Sequence, residues 1–315
     1  LPIPPGTSWP ESLESISFGR NFDCPVGTDV LPGRLKCLTF GAMFDQAIAK
    51  DVLPEGLLRL RFRGMYNRPI DEGVLPINLE GLSFGSISRL PILPPNLKSL
   101  DIDSGFNEVI EAGSLPDSTT EIDFGNDYNQ LIGKDVLPKS LEVLNFGNDY
   151  NQHIDEGVLP KGLVNLHFGD NYNQHIAEGV LPKDLLYLSF RDKYNQPIGE
   201  GVLPDTIVSL RFGDMFNQPI GEGVLPDTVL ELRFGDMFNQ YIDGHILNDG
   251  LKVLILGESF DKPIWSLPGG LEAITVSWRY NRTLGQTFFV PENTAIHVRP
   301  RVWMEPWRVE WRYYN

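Results

Sequence analysis

Leu159-Pro160-Lys161-Gly162-Leu163-Val164-Asn165-Leu166-His167-Phe168-Gly169-Asp170-Asn171-Tyr172-Asn173-Gln174-His175-Ile176-Ala177-Glu178-Gly179-Val180 is one full period of a pattern that runs through most of the chain. The Leu-Pro pair that opens it also stands at 31, 53, 75, 93, 115, 137, 181, 203 and 225. Trp9-Pro10 precedes the series in register, and Leu247 and Leu267-Pro268 follow it. The step is 22 residues, apart from 18 between Leu75 and Leu93 and 20 between Leu247 and Leu267. Counting from the opening Leu, positions 1, 5, 8, 10, 14, 18 and 22 are apolar in most copies. A register kept over so much of the chain is an internal repeat, and the architecture follows from it.

Twenty-two residues are too few for a helical repeat, which needs two helices and about 33 residues. Gly at positions 11 and 21 and Pro at position 2 leave no useful helical stretch. Positions 6 to 10 alternate instead, as in Leu186-Tyr187-Leu188-Ser189-Phe190 and Val208-Ser209-Leu210-Arg211-Phe212. Alternation with period two makes a strand with Leu and Phe inward and positions 7 and 9 outward. Each coil then adds one strand to a parallel sheet, about 4.8 Å from the last. About thirteen such coils build a solenoid on the order of 60 Å long. The expected fold class is mainly β with very little helix.

The return half of each coil has to close without a helix. Phe216-Asn217-Gln218-Pro219-Ile220 supplies apolar anchors, and Gly223 allows the turn into the next Val-Leu-Pro. Position 15 is a column of amides: Asn67, Asn107, Asn129, Asn151, Asn173, Asn195, Asn217, Asn239 and Asn281. Gln follows in most of these coils, from Gln130 to Gln240. Stacked amides can satisfy each other and the backbone of adjacent coils, so the ladder reads as structural.

Phe216-Asn217-Gln218-Pro219-Ile220, followed by Leu225-Pro226-Asp227-Thr228-Val229 and Leu232-Arg233-Phe234-Gly235, resembles the FNIP repeat, a relative of the leucine-rich repeat (LRR). The resemblance spans residues 9 to 290. It implies a right-handed LRR-like solenoid that works as an interaction module, in a family known from amoebae and large DNA viruses. Several such proteins carry an F-box near the N-terminus for attachment to ubiquitin-ligase machinery. Here the first repeat starts at Trp9 and no F-box is visible, so one that exists would lie outside this sequence, and the opening Leu-Pro-Ile-Pro-Pro reads as the start of a fragment or processed product.

Two stretches depart from the pattern. The coil from Leu75 is four residues short, lacks the Phe-Asn pair, and is expected to kink or pinch. The segment from Trp278 holds Trp278, Trp303, Trp307 and Trp311 and is rich in arginine. A solenoid needs its open core end covered, so residues 278–315 are expected to form an aromatic cap on the 1–277 solenoid, within the same structural unit. An aromatic interaction surface is the alternative.

Composition narrows the function. A net charge of −16 argues against a nucleic-acid surface. No run approaches the roughly 18 apolar residues of a membrane span. Cys24 and Cys37 fall on different faces of adjacent coils, so reduced thiols and a cytoplasmic location are expected (host cytoplasm, or the virion, for a viral protein). Acids recur at positions 12 or 13 (Asp127, Asp149, Asp170, Asp192, Asp214, Asp236, Glu258) and at position 20 (Glu72, Glu156, Glu178, Glu200, Glu222). They read as turn formers and solubilising charges rather than a calcium roll, whose paired glycines are missing. His153 and His175 stack in adjacent coils but make only two ligands of a closed zinc site. The sequon Asn281-Arg282-Thr283 starts in the amide column and is discounted. No metal or cofactor is expected.

The outward strand positions vary while the inward ones hardly change. Arg59, Arg61, Asp101, Glu121, Asp123, Asn145, His167, Tyr187, Arg211, Glu231 and Arg233 form the candidate binding face. A mixed row with arginines at both flanks, acids between and a Tyr–His centre suits recognition of a protein surface. The expected function is a non-catalytic protein-interaction solenoid, with the recognition arm of a ubiquitin-ligase adaptor as its finer form. One alternative is a structural or virion assembly component that self-associates. The other is a carbohydrate-binding or β-helix carbohydrate-active protein, for which Asp101 and Asp123 would be the carboxylate pair.

Overall fold

The computed structural model describes residues 3–4, 7–66, 68–242, 245–264, 266–280, 291 and 294–299. Fourteen strands form one parallel sheet in strict chain order, from β1 (Ser15–Ser17) to β14 (Ala295–Arg299). Among the described residues there is no α-helix. Each strand is short because only positions 7 to 9, sometimes with their neighbours, run straight before the chain turns; β8 is Asn165–His167 and β10 is Ser209–Arg211. Pairing keeps the repeat register, with Leu144 beside Leu166, Leu166 beside Leu188 and Leu210 beside Leu232.

The inward positions form one continuous core. In the coil from Leu159, the buried residues are Leu159, Leu163, Leu166, Phe168, Tyr172, Ile176 and Val180, the seven positions the repeat marks as apolar. Positions 10 and 14 stack ring on ring: Phe168 and Tyr172 have centroids 3.8 Å apart at 13°, and Tyr172 meets Tyr194 of the next coil at 6.1 Å. Offset stacking of this kind adds about 0.5–1.5 kcal/mol per pair beyond burial.

Two backbone positions depend on glycine. Position 21 has positive φ, with Gly157 at 82° and Gly223 at 76°; Asp29, Asp51 and Asp135 occupy it elsewhere. Asp tolerates this left-handed region better than most residues. At position 11 the coils pass so closely that a Cβ on Gly147 would overlap the Gly125 carbonyl of the preceding coil.

The return side is closed by the amide ladder. The Asn173 Oδ1 accepts the backbone N–H of Asn195 at 2.9 Å and the Gln196 Nε2 at 3.1 Å. The same pair of bonds recurs from Asn107 to Asn239, and Asp23 plays the acceptor at the first coil, toward Asp45 N–H and Gln46. Asn67 and Asn281 lie outside the described residues. A second ladder of hydroxyls runs at position 4, where Ser118, Ser140, Thr206 and Thr228 donate to carbonyls of the preceding coil.

The irregular coil disturbs the sheet on one side and the ring stack on the other. β3 (Arg59–Met65) is the longest strand and bulges between Phe62 and Met65 against β4 (Gly81–Ser86). In the short coil Ile87 fills the position 14 space, and Ile102 replaces the next position 10 ring. The ring stack therefore breaks between Phe84 and Phe106. A cleft of about 570 Å³ opens there, between Arg89–Pro95 and the stretch from Phe106 to Pro116.

The sheet runs one strand into the segment expected to cap it. β14 pairs with β13 (Ala273–Ser277) in parallel, Ala273 beside Ala295 and Val276 beside Val298. Trp278 is half-buried just after β13. Trp303, Trp307 and Trp311 lie outside the described residues.

Candidate recognition surface

The outward strand residues form two parallel rows on one face of the sheet. In the position 9 row, Asp101, Asp123, Asn145, His167, Ser189, Arg211 and Arg233 follow one another on adjacent strands, each in register with the next. Glu121, Tyr187 and Glu231 stand in the position 7 row beside them. Arg59 and Arg61 project from β3, two strands before Asp101, and are exposed.

The row lines a groove of about 390 Å³ between Asp123 and Arg211, with Asn145, His167 and Ser189 along it and Arg191 at its rim. Its ends differ in charge. At the acidic end the Asp123 carboxylate accepts the Gly125 N–H at 2.9 Å and the Asn145 Nδ2 at 3.5 Å. Burial, opposed by the Gly125 bond, pushes the Asp123 carboxyl above the usual carboxylate range, and Asp101 adds repulsion. Asp101 itself accepts the Ser83 hydroxyl at 2.9 Å. The two carboxylates are adjacent in register and both are held as acceptors of neighbouring donors.

At the basic end Arg211 and Arg233 sit side by side, half-buried. Burial lowers both guanidinium pKa values, Arg233 to about 10; repulsion from Arg211 and then Arg299 adds to the effect at Arg233, and from Arg191 and then Arg299 at Arg211. Asp192, Asp214 and Asp236 lie close enough to pull the other way, yet among the described residues neither arginine forms an ion pair. The acids engage other groups: Arg299 reaches Asp236 at 3.8 Å and Arg191 reaches Asp170 at 3.6 Å. Asp214 is pushed up, chiefly by burial and then by Asp236 and Asp192.

Between the ends stands His167, whose imidazole pKa is pulled below its ordinary 6.5 by burial and then by Arg191 and Arg211. Tyr187 is exposed, at 42%. The face thus runs from carboxylates through amide, imidazole and phenol to guanidinium.

Off this face, the acids of the turns bond across coils. Asp149 accepts the Asn171 amide at 2.9 Å, and Asp127 accepts the Gly105 N–H at 2.6 Å. The turn-forming role expected of them is served between coils rather than within one turn. His153 lies 3.1 Å from Asp155. No three metal-ligating side chains converge among the described residues. Cys24 and Cys37 are unpaired as disulfides, and Arg59 Nε approaches the Cys37 sulfur at 3.3 Å.

Sequence reading missed the hydroxyl ladder, although its column of Ser and Thr at position 4 was visible. It also missed the groove, because the approach of Arg191 to the row depends on how the turns pack.

The family model of the FNIP repeat matches residues 3–42, 44–86, 90–127, 106–149, 128–168, 150–193 and 194–237. No curated protein matches the chain. Among solved structures, the circular LRR protein CroV588 is similar at 35% identity and a TM-score of 0.78, over 92% of this chain and 47% of that one. The chain thus spans about half the length of that relative. YopM from Yersinia enterocolitica WA-314 is 19% identical with a TM-score of 0.47, over 86% of this chain and 62% of that one. An internalin from Listeria monocytogenes is 14% identical with a TM-score of 0.46, over 92% and 83% of the respective chains. Repeat by repeat and coil by coil, the chain belongs to the FNIP repeat family and is a solenoid of the LRR type.

Proposed function

We propose that the protein is a non-catalytic scaffold that recognises a protein partner through its outward strand face. The observation that carries the reading is the contrast between the two sides of each strand. Inward side chains repeat almost without change, whereas the outward row grades from Asp101 and Asp123 through His167 and Tyr187 to Arg211 and Arg233. A packed core explains the first side and leaves the second unexplained. A graded, half-buried polar row offers a partner several distinct contacts in a fixed geometry, which is what selectivity between surfaces needs.

The recognition arm of a ubiquitin-ligase adaptor is the finer form of the same proposal, supported by family membership alone. It requires an F-box in the full gene product, and that product would co-purify with the ligase core. A cytoplasmic location belongs to the proposal too, and imaging of the tagged protein in its native cell would check it.

The test compares this chain with a variant carrying Tyr187→Ala, Arg211→Ala and Arg233→Ala, each used to retain partners from the native cell. A discrete protein retained by the first and lost from the second supports the strand face. Retention of the same protein by both places recognition elsewhere. Recovery of the chain alone from both favours self-assembly.

A further inference from the structure

Arg211 and Arg233 are the anomaly of the strand face. Their strands pair in parallel with the two residues directly in register, so the side chains leave the sheet about 4.8 Å apart. Both are half-buried, and among the described residues neither side chain makes a hydrogen bond or an ion pair. Half-buried charges are ordinarily paired, because desolvation is costly without a partner. Here two like charges are set beside each other, and their planar N–H forks have no acceptor among the described residues.

We propose that Arg211 and Arg233 together seat the carboxylate of an Asp or Glu side chain from an extended segment of the partner, a proposal that rests on the strand-face reading. Guanidinium forks suit this group, since each can give two parallel N–H bonds to a carboxylate. The surrounding charge selects a monoanion. The neighbouring cations Arg191 and Arg299 are met by Asp170 and Asp236, and Asp192 and Asp214 stand close to the pair. A dianionic phosphate would meet those two carboxylates with little net positive field to hold it. Ser189 follows Arg211 in the row and offers a hydroxyl to a segment running along the groove toward His167.

The experiment follows the arginine Nε–Hε signals of the full chain by NMR while acetyl-Glu-Glu-Glu-Glu-amide, its all-Gln counterpart, or inorganic phosphate is added. The expected result is movement of the Arg211 and Arg233 signals with the Glu peptide, none with the Gln peptide, and at least tenfold weaker binding of phosphate. Arg211→Gln with Arg233→Gln should weaken the Glu peptide at least tenfold. Arg20→Gln with Arg34→Gln, a pair of exposed arginines in the turns and off the strand face, should leave it unchanged. Equal movement of all four arginine signals, or no movement, would overturn the seat, as would phosphate binding more tightly than the Glu peptide. A partner that depends on Tyr187 but not on Arg211 and Arg233 would remove the seat and leave the strand-face reading intact.

Discussion

The side-chain carbonyl of Asn173 accepts the backbone N–H of Asn195 at 2.9 Å, one coil further along. The bond ties the bend of one coil to the backbone of the next, so the return side is held by a side-chain column while the strand side is held by the sheet. Asn173→Leu removes the acceptor of two donors, Asn195 N–H and Gln196 Nε2. The expected cost is about 1–3 kcal/mol. Asn173→Asp keeps the acceptor, as Asp23 does at the first coil, and should lose less. Urea unfolding of the two variants checks the order.

Gly147 is fixed by proximity. A methyl group there would overlap the Gly125 carbonyl, so Gly147→Ala forces two coils apart. Overpacking of this kind costs about 1–3 kcal/mol or more. Gly33→Ala, where a Cβ meets nothing within 4 Å, should be close to neutral. Thermal melts of both proteins give the comparison.

The hydroxyls of Tyr128, Tyr150, Tyr172 and Tyr194 are buried and have no hydrogen-bond partner among the described residues. Burial pushes all four phenol pKa values well up. Phe216, Phe238 and Phe260 fill the same position in later coils. Tyr150→Phe should therefore leave stability within about 1 kcal/mol of the parent or raise it, because an unsatisfied buried hydroxyl is removed. Denaturant midpoints decide the point, and a loss above about 2 kcal/mol would show that the hydroxyl is bonded in solution.

The sequence made the repeat, the inward positions and the amide ladder legible, because each depends on one residue type returning at one step. β14 was less legible. Thr294-Ala295-Ile296-His297-Val298 lacks the Leu-x-Phe strand signal and any Leu-Pro opening, and its register comes from packing on β13. The cleft beside the short coil and the unpaired state of Arg211 and Arg233 were hidden for another reason. Both follow from where turns and long side chains settle, which spacing does not specify.

His167 gives the face a pH response. Its folded pKa lies below the ordinary 6.5, so the unfolded chain takes up the proton first as pH falls. The contribution of the neutral imidazole is complete above pH 6.5 and is lost as pH drops below it toward the folded value. Asp123 and Asp214 act in the opposite sense, since their raised folded values favour the native state as pH falls toward their titration. His167→Asn should flatten the fall in melting temperature just below pH 6.5, and melts across pH 5 to 7 would show whether it does.

Arg233 carries a stability cost if its charge awaits a partner. Arg233→Gln removes a half-buried cation that repels Arg211, so the melting temperature should rise by roughly 2 °C. Sites kept for binding at the expense of stability behave this way. Calorimetry on the isolated protein reads the change directly.

The central claim is that the outward strand row is the surface that meets a partner. A photo-crosslinking amino acid placed at Tyr187 on that row, and in a second protein at Glu222 in the turns, tests it most directly in the native cell. The account expects one discrete adduct from position 187, competed by unlabelled protein, and none of that species from position 222. The same adduct from both positions, or from 222 alone, would contradict it.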